Sequence, residues 1–379
     1  MSWLNKLKQD LNRLGEPVRS RADRMAASRL KVSYGPDSPP TLAGVKNISS
    51  SGIYLVTEKR LRTGELITLT LQEEAQPESG PELQFSVHAR VARQGEDGIG
   101  LSFDLPPGLD RSLWGVLVRN ITLLNDPEEI AQMFHTLRSI LFLCRLCHSK
   151  AEEAILLMGG QLDSDRTNTL VKIAIAAEKL LAAEPDPEQM RADPKLLANI
   201  LREGSWAPDE LTRELWTGLL VSSCSADAPD NSNQVFVNLL IHITPIQARI
   251  LAHACELALA SEPEAGSSSS GSVVLSAAEM IHLTGVHELA RNATDVSYLF
   301  NLGTLKNVFN FTSYLPIDSF DVTPSSLGLA LYKHCRGSRE KIEPKLVEQA
   351  ETSLVHFMPP PHPPLFGATP LPPLSTFEG

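Results

Sequence analysis

Six short β-prone runs lie between Arg29 and Leu105, and they constrain this chain more than any other feature. They read as Arg29–Tyr34, Leu42–Asn47, Gly52–Thr57, Glu65–Gln72, Leu83–Gln94 and Gly98–Asp104. Turn formers separate them: Gly35-Pro36-Asp37, Ser49 to Ser51, Arg62-Thr63-Gly64 and Glu96-Asp97-Gly98. Strands this short and this closely spaced leave unpaired edges unless the sheet closes on itself, so the pattern predicts a small antiparallel barrel. A short helix, Leu113 to Val118, should follow the last strand.

The rest of the 379 residues is helical in pattern, which makes the chain a multi-domain α+β protein. Residues 126–233 form a helical region, opened by Asp126-Pro127-Glu128-Glu129: an N-cap, a proline at N1 and acids in the first turn. Later helices run over about Thr167–Ala183, Asp193–Gly204 and Pro208–Ser223. Residues 234–340 form a second helical unit, with Thr244-Pro245 opening a helix to about Ala260. Helices at Ser276–Leu283 and Val286–Leu302 follow, then a β-like stretch at Leu305–Tyr314 and a helix after Thr323-Pro324. That layout is winged-helix-like. Residues 341–379 read as the end of the helical part and a proline-rich, disordered tail.

Charge is unevenly placed. The chain carries a net −11, yet Met1 to Lys31 hold eight Lys and Arg against three Asp and Glu, a local +5. Residues 1–18 read as a basic amphipathic helix with Trp3, Leu7, Leu11 and Leu14 on one stripe. Such a helix packs on its own protein or, through residues 1–16, meets a partner or a membrane surface. The acidic whole argues against a nucleic-acid coat. The N-terminus lacks an apolar signal core, and five dispersed cysteines suggest reduced thiols and a cytoplasmic protein.

A six-residue string between two of the strands carries a mechanism. Asn47-Ile48-Ser49-Ser50-Ser51-Gly52, followed by Ile53-Tyr54-Leu55 and later by Gly98-Ile99-Gly100-Leu101-Ser102-Phe103, resembles the PilZ domain. The resemblance covers about residues 20–120, within a domain read as 19–120, and implies a six-stranded barrel that binds cyclic di-GMP. Asn47 and Ser49 offer a carboxamide and a hydroxyl for a purine edge. Gly52 would permit a positive φ and close ligand approach. The family also places two arginines, spaced Arg-x-x-x-Arg, ahead of the first strand. Guanidinium groups stack on bases and pair with phosphates. Arg29 stands at the second of these positions, whereas Met25 occupies the first, with Arg24 one place away and Arg21 further back. The candidate cyclic di-GMP-binding residues are therefore Arg21, Arg24, Arg29, Asn47, Ser49 and Gly52.

A second resemblance lies in Leu215–Leu220, Phe236–Leu240, Thr244–Leu251, Leu299–Gly303 and Val322–Gly328, which look like the Abi-alpha family, over about 195–337. It implies a link to abortive phage infection and no catalytic residue. The sequence shows no nucleophile elbow, no phosphate-cradling glycine loop and no His-Glu-x-x-His, so no enzyme is expected. Cys144-Arg145-Leu146-Cys147-His148 spells a haem-attachment string but sits in an apolar helical run, so it reads as core thiols, without metal or cofactor. Between Val286 and Arg336 four basic residues balance four acidic ones, which disfavours DNA as a partner. Two functions remain open. One is a cyclic di-GMP-responsive signalling or regulatory protein acting through protein contacts. The other is an interaction or phage-defence module whose barrel no longer binds nucleotide.

Overall fold

The computed structural model describes residues 24–27, 30–35, 41–73, 84–106, 109, 111–123, 126–147, 164–226, 231–261, 272–306 and 319–357. The expected helix at residues 1–18, the loop core at 262–271 and the tail beyond 357 lie outside these residues. The chain divides into two compact units, Met1–Arg249 with Ala330–Lys341, and Ile250–Leu329 with Ile342–Gly379.

The first unit begins with the barrel. Its strands are β1 (Met25–Ala26), β2 (Leu30–Tyr34), β3 (Thr41–Ile48), β4 (Gly52–Val56), β5 (Leu66–Glu73), β6 (Gln84–Gln94) and β7 (Gly98–Asp104). The order β3-β2-β5-β6-β7-β4 closes through a β3–β4 pairing, giving six antiparallel strands in a ring. The short β1 adds to β3 outside the ring, so part of the arginine arm is regular structure, which the sequence did not lead us to expect.

Alternation explains the core. Val32 and Tyr34, Ile53 and Leu55, Ile67, Leu69 and Leu71, Phe85, Val87, Ala89 and Val91, then Ile99, Leu101 and Phe103 are all buried, one residue in two along each strand. Each large apolar side chain removed from water contributes about 1.5–3 kcal/mol. Trp114 plugs the end at which β6 starts and β7 finishes. Its ring meets Phe103 edge-on at 5.1 Å and Phe85 at 6.2 Å. It belongs to α1 (Arg111–Leu123), a longer helix than expected. The same helix meets the arm, where the Thr122 hydroxyl donates to Met25 Sδ at 3.3 Å.

The barrel closes tightly where β4 meets β7. A Cβ on Gly52 would stand 2.1 Å from the Leu101 carbonyl oxygen, and one on Gly98 would stand 1.9 Å from that of Leu55. Only glycine allows the two backbones to approach this far.

The helices of this unit are α2 (Pro127–Cys147), α3 (Ser164–Leu181), α4 (Pro194–Gly204), α5 (Glu210–Ser222) and α6 (Gln234–Leu240). Caps set their starts as the sequence suggests. Asp126 Oδ1 accepts from the Glu128 N–H at 2.8 Å, and Asp193 Oδ1 from those of Lys195 and Leu196 at 3.0 and 2.9 Å. One start differs: Ala207-Pro208 does not open α5, because the Asp209 side chain takes the Thr212 N–H at 2.8 Å and fixes the helix one turn position later.

Next comes α7 (Pro245–Ala260). The second unit then holds β8 (Val274–Ser276), α8 (Ala277–Thr284), α9 (Leu289–Asn301) and β9 (Ser319–Asp321). β8 and β9 pair antiparallel, and Ser276 and Glu279 form a capping box at α8. Of the β-like stretch expected at 305–314, Leu305 makes a single bridge to Pro324, and residues 307–318 lie outside the described set. After α10 (Ser326–Cys335) comes a separate helix, α11 (Pro344–Phe357), where the sequence suggests only the end of the helical part.

All five cysteines are buried free thiols, including Cys144 and Cys147 of α2. Burial pushes the thiols of Cys144, Cys147, Cys224 and Cys255 up to about 12. Among the described residues no cluster of three or more His, Cys, Asp or Glu is placed to hold a metal. No described helix is long and apolar enough to cross a membrane.

Two outcomes are expected. Gly52→Ala and Gly98→Ala should each lower stability by about 1–3 kcal/mol, read as a shift of the urea midpoint. A thiol reagent at neutral pH should label the native chain far more slowly than the unfolded one. Unfolded thiols ionise near pH 8.5 but these folded ones only near 12, so unfolding releases protons between the two. Stability should therefore be intact below about pH 8.5 and fall as pH rises toward 12, which melting temperatures at pH 7, 9 and 10 would report.

Candidate functional site

One row of residues crosses four neighbouring strands on the outside of the barrel. Asn47 of β3 pairs with Tyr54 of β4, Tyr54 with Gly100 of β7, and Gly100 with Arg93 of β6. Two β-bulges bring the ends of this row to the surface. In β3, Ala43 and Val45 point inward, so strict alternation would send Asn47 inward too. The register shifts between Val45 and Asn47, Ile48 takes the inward place, and Asn47 turns out. In β6, Phe85, Val87, Ala89 and Val91 point inward, which would put Arg93 in the core. A second shift between Val91 and Arg93 exposes it.

The β3–β4 hairpin walls one side of the site. Its loop is Ser50-Ser51, closed by a bond from the Ser49 N–H to the Gly52 carbonyl at 2.8 Å. Ser49 is buried, and its hydroxyl donates to the same carbonyl at 3.2 Å and accepts from the Ser51 N–H at 3.4 Å. Ser49 therefore shapes the turn. Gly52 does not take the positive φ expected of it; among the described residues the positive-φ glycines are Gly35, Gly64, Gly285, Gly303 and Gly337. The Leu101 carbonyl packed against it leaves no room for a Cβ, which by itself requires glycine here.

The arm completes the cleft. Met25 pairs with Ile48 and Ala26 with Asn47, which lays the arm along β3, and Arg24 just before this pairing lines the cleft. Together these elements enclose a cleft of about 600 Å³, within the size range of small-molecule sites. Arg24, Asn47, Ser49 and Gly52 all line it, joined by Ser51, Tyr54, Arg93 and Ser102. Arg21 and Arg29 lie outside the described residues. Of the six sequence candidates, four thus share one cleft. Arg93, Tyr54 and Ser102 were not anticipated. The missed signal was an arginine in phase with four apolar core positions, which only a bulge can accommodate.

The lining carries two arginines, and among the described residues that form it none is acidic. Neither Arg24 nor Arg93 has a carboxylate partner among the described residues. The Arg93 guanidinium instead lies 5.8 Å from the Tyr54 ring centre, with Lys46 Nζ at 5.5 Å. The Tyr54 hydroxyl donates to Asp97 Oδ1 at 2.7 Å. That bond to a carboxylate holds the phenol above its usual range, and Lys46 and Tyr54 hold the Asp97 carboxyl below its own.

Family comparisons divide the chain as this architecture does. Residues 19–118 match the PilZ domain. The PilZ match takes in the arm, the whole barrel and the Trp114 plug. Residues 166–321 match the family described as abortive infection alpha. Neither family is enzymatic in general. No curated protein matches the chain.

Because Asp97 favours the protonated phenol, Asp97→Asn should bring one tyrosine of five to a lower titration midpoint. Difference absorbance of phenolate between the two proteins would show it, and identical titration curves would refute the Tyr54–Asp97 bond.

Proposed function

We propose that the barrel is a receptor for cyclic di-GMP and that the protein is a signalling or regulatory protein working through ligand-dependent protein contacts. The observation that carries this reading is the cleft beside the Asn47–Gly52 turn: two arginines that no carboxylate among the described residues pairs with, on a chain of net −11. A cationic, acid-free lining on an acidic protein favours an anionic ligand. Asn47 supplies donor and acceptor for a guanine edge, and the match to the PilZ domain supports the choice of nucleotide. Arg21, Arg24 and Arg29 flank or adjoin β1 in sequence, so a ligand they contact would draw on the arm wall of the cleft. Helix α1 touches both the arm at Met25 and the hairpin loop at Ser50, where a Cβ on Gly115 would stand 2.9 Å from that of the serine. Ordering one wall would thus reach the helix that leads into α2 and change the surface offered to a protein partner. The protein acts by binding, without catalysis, in the cytoplasm.

Over residues 234–340 we read α7, β8, α8, α9, β9 and α10 as a winged-helix-like layout used for protein contact. The balanced charge of this stretch supports protein over DNA.

A second reading has its own support. Met25 stands where the family's first arginine belongs, and residues 166–321 match abortive infection alpha. The barrel would then be an interaction module in phage defence. Phage plaquing with and without residues 195–337 tests that reading.

Calorimetric titration of cyclic di-GMP into the full-length protein decides the first. Arg29→Ala or Ser49→Ala should abolish the heat. Arg24→Ala and Asn47→Ala should each weaken binding by at least about tenfold, or about 1.4 kcal/mol. A wild-type protein that gives no heat would sink the receptor reading.

A further inference from the structure

We infer that Arg93 is the second ligand-binding cation of the cleft, supplied by the barrel wall in place of the arginine that the arm lacks at position 25. This rests on the receptor reading above and names a residue that the Arg-x-x-x-Arg pattern does not contain.

Three observations carry it. First, β6 breaks its register to present Arg93: the bulge after Val91 turns this side chain out of a core phase held by Phe85, Val87, Ala89 and Val91. A bulge costs ladder hydrogen bonds and is found where a side chain must be re-aimed. Second, the strand beneath is bare. A Cβ on Gly100 would stand 2.9 Å from Arg93 Cγ and 3.1 Å from its Nε, so the arginine lies flat across a glycine. Third, the guanidinium remains available. Its neighbour is the Tyr54 ring, and among the described residues no carboxylate neutralises it.

Arg93 is carried by β6 and Arg24 by the arm, which pairs with β3, and β7 and β4 lie between. Both arginines line the cleft, one from each wall. An arginine on each wall suits bidentate pairing with phosphate oxygens, and a ligand with two phosphodiesters has one for each. The pair would therefore favour a dinucleotide over a mononucleotide.

The test uses the full-length protein, cyclic di-GMP and 5′-GMP, with circular dichroism melts to establish that each variant folds. Arg93→Ala should weaken cyclic di-GMP binding at least tenfold and reduce its preference over 5′-GMP. Arg93→Lys should recover little, because an ammonium lacks the planar fork. Gly100→Val leaves the charge in place but displaces the side chain, and should weaken binding in the same way. Binding by Arg93→Ala within twofold of wild type, in a chain whose Arg24→Ala variant is impaired, overturns the role of Arg93 and leaves the receptor reading standing. Absence of binding by the wild type overturns both.

Discussion

Everything in the N-terminal half depends on how closely β4 and β7 approach. Their backbones leave no room for a Cβ at Gly52 or Gly98, each of which faces a carbonyl oxygen of the opposite strand. This contact completes the ring, because the β4–β7 and β3–β4 ladders join the two ends of an otherwise open sheet. Closure removes the edges and seals an apolar interior that Trp114 stoppers from one end. It also brings Asn47, Tyr54, Gly100 and Arg93 into one row, since that row crosses the seam. Barrel closure alone thus requires the glycine that ends the Asn47–Gly52 motif.

Much of this was legible in the residues. Period-two alternation located all six barrel strands to within a residue or two, because each strand has one buried face and a slip would expose it. Turn clusters marked the connections. What alternation cannot show is its own interruption. Asn47 and Arg93 both sit where the pattern points inward, and both are too polar to stay there. The hydrogen-bond register yields instead, and the site is made at the places where the rule fails. The arm was harder. Met25 and Ala26 hold too little periodicity to read as a strand, and their pairing with β3 is a tertiary effect.

The helical part shows where local chemistry decides and where it competes. Asp126, Asp193 and Ser276 announce their helices because each side chain takes orphan N–H groups of the first turn. At residues 207–210 two start signals overlap. Asp209 wins over Pro208 because a cap that accepts a hydrogen bond fixes the start more firmly than a fixed φ alone. The Cys144–Cys147 string shows the reverse hazard. As text it suggests a cofactor, but an apolar helix encloses both thiols and keeps them neutral.

Along the cleft β7 turns Gly100 and Ser102 outward, with the exposed Asp104 at the strand's far end. The floor of the cleft is consequently main chain, with its amides and carbonyls already spent on the ladders to β4 and β6. A floor of that kind carries little side-chain information of its own, and Arg93 lies across it at Gly100. Any change of preference during divergence must therefore arise at the rim, in Arg24, Asn47, Tyr54 or Arg93, and the same barrel can change its ligand by swapping a few side chains while its architecture stays fixed.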